Sequence, residues 1–531
     1  MNNLRLILGF LLLNITVYSQ SPFTIALEPF NISELGGLQS FAFGQDQEKW
    51  LLVGGRLDGL HQRQPWATFD IAGHNNQLIV VDPISHEKWG APLSSLPISI
   101  QEHLSSTNMN FYQEGAYLYI IGGYGYSTTQ GNHITYPYLT AIKVPDVINA
   151  IVNGLNFSMY FRQIEDPRFQ VTGGQLQKIY DIYYLLGGQI FLGRYNPMNN
   201  PTFYQEYTNQ IRRFSLQDDG VNIVVQHLSS YTDAENLHRR DYNAAPQILP
   251  NGEEGITMFS GVFQPTVNLP FLNSVTVDSS NYSVNNSFLQ YYNHYHCATI
   301  PLYSSSENEM HTVFFGGIAQ YYDSAGILVQ DNNVPFVKTI ARVTREANGK
   351  MTEYKLPIEM PVLLGAGSEF IPNVNQSLYN NGVYKLDEIT RDSTLIGYIF
   401  GGIISSEANI FWNNDGTQST ANSQIYKVYL TNTIYSGYEG NPQETGSLNL
   451  SVNPNPNDGH FVVDYFLKKD SDVKLTMYDM QGATIRNVFL ENQSSGNNTY
   501  TLNASNQLKS GVYAISIQTT YGKATQKFIF K

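Results

Sequence analysis

Residues 49–55 read KWLLVGG, a short apolar run closed by a pair of glycines. The arrangement returns at 117–123 (YLYIIGG), 182–188 (IYYLLGG), 255–261 (GITMFSG), 311–317 (HTVFFGG) and 395–402 (LIGYIFGG). A run this long matches a buried strand, and a glycine behind it marks backbone that needs a positive φ or comes close to a neighbour. Six copies with nothing helical between them predict an all-β chain, a six-bladed β-propeller with one copy per blade. Each copy is read as the second of four strands. In the first blade these are LQSFAFGQ, KWLLVGG, QLIVVDP and the stretch around Lys88 and Trp89; in the fourth, the last strand falls near NSFLQYY. The sixth blade lacks a fourth strand of its own, and TIALEPF (24–30) is expected to supply it from the N-terminal side. Ser260 replaces the first glycine in the fourth copy while the last glycine is present in all six, so the second position is expected to carry the stricter backbone demand.

The spacing between glycine pairs runs from about 56 to about 85 residues against roughly 50 for a compact repeat, so loops hold the excess. In a four-stranded antiparallel blade the loop after the second strand and the segment leading into the first emerge on one face. That face receives residues 56–70, 124–138, 189–207, 318–330 and 403–416. Its candidate ligand-binding residues are Trp66, Tyr124, Tyr136, Arg194, Tyr195, Tyr321 and Trp412, with Arg63 beside them. Rings give rigid contact area and amides read hydroxyls, which suits an extracellular glycan or protein. Two lead-in segments carry the only candidates for catalysis: HRRDYNAAP brings Arg240 and Asp241 to the fourth blade, and YYNHYHCAT brings His294, His296 and Cys297 to the fifth. Arg239 or Arg240 binding a carboxylate while Asp241 or His296 exchanges a proton is the enzymatic reading; polar groups that orient the strands are the plainer one.

The 531 residues carry a net charge of -14 with no compensating basic run, which disfavours nucleic acid. Arg5, the apolar run LILGFLLLNITV and Ser19 read as a secretory signal peptide over residues 1–19, and no other segment is apolar enough for a membrane span. The lone Cys297 allows no intramolecular disulfide. The propeller is expected over 20–435, a Gly, Pro and Ser-rich linker over 436–447, and a small immunoglobulin-like β-sandwich over 448–531, where short strands alternate with turn residues.

The apolar strand ending in Gly-Gly, followed by LIVVDPISHEKW with Asp82 and Trp89 around a turn, resembles the kelch motif between residues 24 and 434, although only the first repeat keeps the trailing Trp. Some kelch-like oxidases hold copper with His, Tyr and a Tyr joined to Cys; that Tyr pattern is not identifiable here, and no metal or cofactor is expected. The C-terminal module resembles the sorting domain of type IX secretion substrates. The likeness is carried by Asn453-Pro454-Asn455-Pro456, the turn closed by Gly482, Leu508, Gly511-Val512-Tyr513 and the end at Lys531. It implies a Bacteroidota-type cell, passage through the periplasm, the type IX secretion machinery as a partner, removal of the domain, and release or attachment at the outer cell surface. The leading expectation is an exported propeller that binds a glycan or protein. The rivals are an enzyme acting on sugar acids or polysaccharides and a scaffold of a surface assembly.

Overall fold

Each apolar run of the repeat is the second strand of an antiparallel sheet, four-stranded except for the fifth, where Tyr384–Lys385 adds a parallel edge strand beside Ala298–Ser304, in the computed structural model, which describes residues 21–198, 202–389, 392–433, 448, 450–479, 484–504, 508–519 and 523–531. The first sheet runs Ala42–Asp46, Lys49–Val53, Gln77–Asp82 and Glu87–Pro92 in that order. The other five begin with Asn110–Glu114, Gln175–Ile179, Asn243–Ile248, Ala298–Ser304 and Ser368–Pro372. In the sixth the outermost place is taken by Phe23–Phe30, paired residue for residue with Ile425–Asn432 from Phe23↔Asn432 to Phe30↔Ile425. Two compact units divide the chain, Met1–Ser436 and Gly437–Lys531. The signal peptide and linker readings lie outside the described residues.

Two details differ from the sequence reading. Helices do interrupt the strands, at Ile98–Leu104 and Val144–Val152. The second is only nine residues long, but Val144, Val147, Ile148 and Ile151 form one buried stripe that joins the core of the first sheet, so packing stabilises a helix too short to hold by propensity. The last strand of the fourth sheet is Tyr282–Asn285, ahead of NSFLQYY; it stops where Asn285 Oδ1 accepts from the Ser287 N–H and hydroxyl in a local turn.

The glycine pairs join each sheet to the next. The second glycine donates its N–H to the lead-in carbonyl of the neighbouring sheet: Gly55 to Ser106, Gly123 to Val171, Gly188 to Arg239, Gly317 to Leu364 and Gly402 to Leu38, at 2.7 to 3.0 Å. A Cβ on the first glycine would lie 1.9 to 2.7 Å from that same carbonyl oxygen in all five. The first position is therefore at least as strict as the second, which corrects the expectation drawn from Ser260. Serine is accepted in the fourth sheet because no such bond forms there among the described residues, although its backbone still adopts φ +55. Ser260 instead donates its hydroxyl to Phe271 O, and its own carbonyl takes a bond from Arg239.

Six further backbone bonds form a closed circuit. Ser40 N–H donates to Gly367 O, Gly367 to His296, His296 to Asp241, Asp241 to Gly173, Gly173 to Asn108 and Asn108 back to Ser40, at 2.8 to 3.1 Å, with one residue contributed by each sheet's lead-in. Side chains one to five residues further on stitch the same interfaces. Gln113 Nε2 donates to Gln45 O, Asn110 Nδ2 to Val171 O, Gln177 Nε2 to Ala244 O, Asn243 Nδ2 to Tyr295 O, and Gln45 Nε2 to Pro372 O, while Ser368 Oγ accepts from Ala298 N. Every first strand is thus tied to both neighbours by groups that burial would otherwise leave unpaired.

In the C-terminal unit a three-stranded sheet (Ser451–Asn453, His460–Leu467, Gly496–Asn503) and a four-stranded sheet (Ser471–Tyr478, Thr484–Gln493, Gly511–Gln518, Lys523–Phe530) share one core of Val452, Phe461, Val463, Leu475, Met477, Ile515, Ile517 and Phe528. Asn455 accepts from Ile529 N and Asn457 N donates to Ile529 O, so the Asn-Pro stretch clasps the last strand. The Pro454 and Pro456 peptides are cis. Gly511 opens a strand and the Tyr513 hydroxyl donates to Lys509 O at 2.7 Å. Lys531 donates its N–H to Asn457 O, and Gly482 lies outside the described residues.

Candidate functional site

The circuit residues surround a small pocket lined by Ser40, Asn108, Asp241, His296 and Glu369 together with Phe41, Met109 and Phe111, with room for little more than one water molecule. Asp241 and His296 are two of the residues singled out for catalysis, and the topology brings them together because both are circuit residues of adjacent sheets. Arg240 forms an ion pair with the Asp241 carboxylate, donates from Nε to the Tyr207 hydroxyl at 3.0 Å, and lies 5.3 Å over the Phe263 ring. His296 Nε2 stands 3.1 Å from Glu369 Oε1. Burial disfavours a charged His296, but the Glu369 carboxylate beside it, with Asp241 behind, outweighs that cost and raises the imidazole above its ordinary value.

That shift has a sign in stability. A histidine whose folded value is raised stabilises the fold fully below its unfolded value near 6.5, and the stabilisation is lost as pH rises through the folded value. His296→Gln is therefore expected to be less stable than the parent at pH 6, with the gap narrowing towards pH 9. Urea midpoints at the two pH values measure it, and a gap that is constant or widens would show that His296 is not held charged.

Other polar candidates are spoken for. Arg239 is fully buried, and its guanidinium donates to Asn236 O, Ser260 O, Asn273 O and Asn273 Oδ1, so it offers nothing to a carboxylate ligand. His294 accepts from Gln320 N and bonds Gln290 O, so both of its ring nitrogens are engaged. Cys297 is buried beside Asn243. Among the described residues no group of three or more His, Cys, Asp or Glu side chains is arranged to hold a metal, and no helix is long and apolar enough to cross a membrane.

The residues nominated on the loop face fall into three groups. Tyr124 and Tyr136 are buried, their hydroxyls donated to Gly193 O and Tyr126 O at 2.7 and 3.0 Å; they brace loops and present no surface. Arg194 and the half-buried Tyr195 hold loop to loop: Arg194 Nε donates to Thr68 O at 2.7 Å, and the Tyr195 ring packs 4.8 Å from His61. Tyr321 sits apart on the hairpin Tyr321–Ser324/Ile327–Gln330, edge-on to Tyr291 at 5.0 Å. Trp66 and Trp412 are exposed by 72% and 67%. Arg63 joins their loops, donating from Nη1 to Trp412 O at 2.6 Å and lying 5.3 Å over that indole, while its N–H bonds Asn414 O and the buried Asn414 amide donates to Leu60 O and His61 O.

Two residues escaped the sequence reading. Glu369 lies two positions past Gly367, as Asn110, Gln175 and Asn243 lie two past their own circuit residues; aligning the repeats on the lead-in rather than the glycine pair exposes that polar column. Glu353 takes the N–H groups of Tyr291 and Tyr292 at 2.6 and 3.2 Å, and burial pushes its carboxyl up to about 8 against those bonds.

No curated protein matches the chain. Among solved structures it is similar to that of YjhT, at 12% identity and a TM-score of 0.41 over 75% of this chain and 98% of that one. It is also similar to a fungal alcohol oxidase of the AA5 family in complex with copper, at 8% identity and 0.36 over 96% and 99%. At these values neither bears on what this chain does. Residues 451–531 match the secretion system C-terminal sorting domain, which indicates export by type IX secretion, to the cell surface or into the medium.

Proposed function

We propose that residues 20–435 are a six-bladed, kelch-like propeller whose loop-rich face binds an extracellular glycan or protein, and that an immunoglobulin-like domain over 448–531 and a signal peptide over 1–19 direct it out of a Bacteroidota-type cell. The closed circuit of six backbone bonds, one per sheet, supports the propeller. The binding role rests on one observation: the loops carrying Trp66 and Trp412 are tied to each other by hydrogen bonds from the buried Asn414 amide, yet leave both indoles in solvent. Ordering loops for binding costs free energy, and a surface already ordered avoids that cost. Glycan and protein arrays probed with the chain from residue 21 to 531 test the reading; signal on neither array counts against it.

The enzymatic alternative is kept alive by Asp241, His296 and Glu369 lining one pocket. Its carboxylates already face Arg240 and His296, which favours a structural ion-pair network at the centre of the circuit.

A further inference from the structure

We infer that Trp66 and Trp412 form a stacking platform for a neutral polysaccharide chain, with the amides around them reading its hydroxyls. The inference rests on the binding role proposed above for this face and narrows it to one ligand class. Arg63 is three residues from Trp66 and touches Trp412, so chain reach keeps the two indoles within about 25 Å, the span of a short oligosaccharide. In sequence the exposed neighbours of the two rings are mostly polar, Gln64, Asn413, Asp415 and Thr417, with the exposed Leu57 and Ile71 further along the chain from Trp66. A protein hot spot is the reverse, an aromatic anchor enclosed by a rim that excludes water. Flat exposed rings flanked by amides suit the alternating C–H and hydroxyl faces of a sugar.

Charge decides between neutral and acidic chains. The one guanidinium between the rings is already engaged by Trp412 O and the indole face, and Asp415, Asp58 and Asp70 stand on the same loops. Arg194, the other arginine of this surface, is turned to Thr68 O and Asp70. With Arg56 and Arg194 paired to Asp58 and Asp70, Arg63 is set against the exposed Glu407 and Asp415, so the described loops offer an anionic chain no net positive charge.

Affinity electrophoresis of the chain from 21 to 531 tests this in gels containing hydroxyethylcellulose, galactomannan or soluble starch, with polygalacturonate as the acidic comparison. At least one neutral polymer is expected to retard the protein, and Trp66→Ala and Trp412→Ala each to weaken that retardation about tenfold or more. Both rings lie in solvent, so equal thermal midpoints of parent and variants verify that the fold is intact. Retardation by polygalacturonate alone, no retardation in any gel, or neutral binding unchanged in both variants overturns the inference. Should those results come with a protein-array signal, the broader binding role stands while the glycan platform falls.

Discussion

Gly122→Ala is expected to destabilise the first unit by about 3–5 kcal/mol, enough to cost much of the margin of an ordinary domain. Three costs combine. Gly122 holds φ +68, which an alanine adopts at about 1–2 kcal/mol. Its new Cβ would lie 1.9 Å from Val171 O, so the third sheet's lead-in must move away. That carbonyl accepts from both Gly123 N and Asn110 Nδ2, and each bond lost costs about 0.5–1.5 kcal/mol. Gly115→Ala is the control: φ +56 with nothing within 4 Å of the added carbon, so only the conformational cost applies. Urea unfolding of the two variants separates the contributions, and near-equal midpoints would refute the claim that the glycine pair is required by the neighbouring sheet.

Arg239→Met is the second large effect, a loss of about 3–5 kcal/mol or failure to accumulate soluble protein. The guanidinium is wholly buried, and its partners are four oxygens, none of them a carboxylate. It also lies 4.0 Å over the Phe271 ring. Methionine replaces the stem but leaves those acceptors without donors, at about 1–3 kcal/mol for each that water cannot reach. Position 239 has a double duty: its carbonyl accepts from Gly188 N, while its side chain ties Ser260 to Asn273 within the fourth sheet. Arg239→Lys should lie between the parent and the methionine variant, because an ammonium restores some donors without the planar fork. A methionine variant as stable as the parent would reassign Arg239 from structure to function.

The repeat was legible because its cause is local. A buried strand must be apolar and its end must be glycine where another backbone passes, so KWLLVGG and its five relatives could be aligned by eye, and the unpaired TIALEPF assigned to the open edge of the sixth sheet. Reading Ser260 as tolerance of the first position failed because the constraint belongs to a carbonyl of the neighbouring sheet, far off in sequence, whose bond is absent among the described residues only in that sheet. The aromatic loops were legible as a group and not individually. Tyr124 and Trp412 are both large rings in long loops, yet one hydroxyl finds Gly193 O and buries its ring while the other indole has no comparable partner to draw it in. Arg239 and Arg240 are adjacent in sequence and opposite in role, one enclosed by carbonyls and the other facing Asp241, because consecutive residues point to different sides of the backbone.

The eight-pair joint between Phe23–Phe30 and Ile425–Asn432 also sets how the molecule answers force. Its two strands are antiparallel, and Thr433 N donates to Pro22 O at 2.8 Å, so both chain ends leave from one corner. Pulled apart at that corner, the pairs would peel one at a time under a small load. Were the exported protein attached at the surface and the proposed ligand held on the loops, the pull would enter through that ligand and be resisted at residue 433. Ile425–Asn432 runs between those two points with a neighbour on either side, so its bonds are loaded together in shear. The seam that closes the sixth sheet is thus weakest against unzipping from its own ends and strongest along the line by which a bound polymer would tug it.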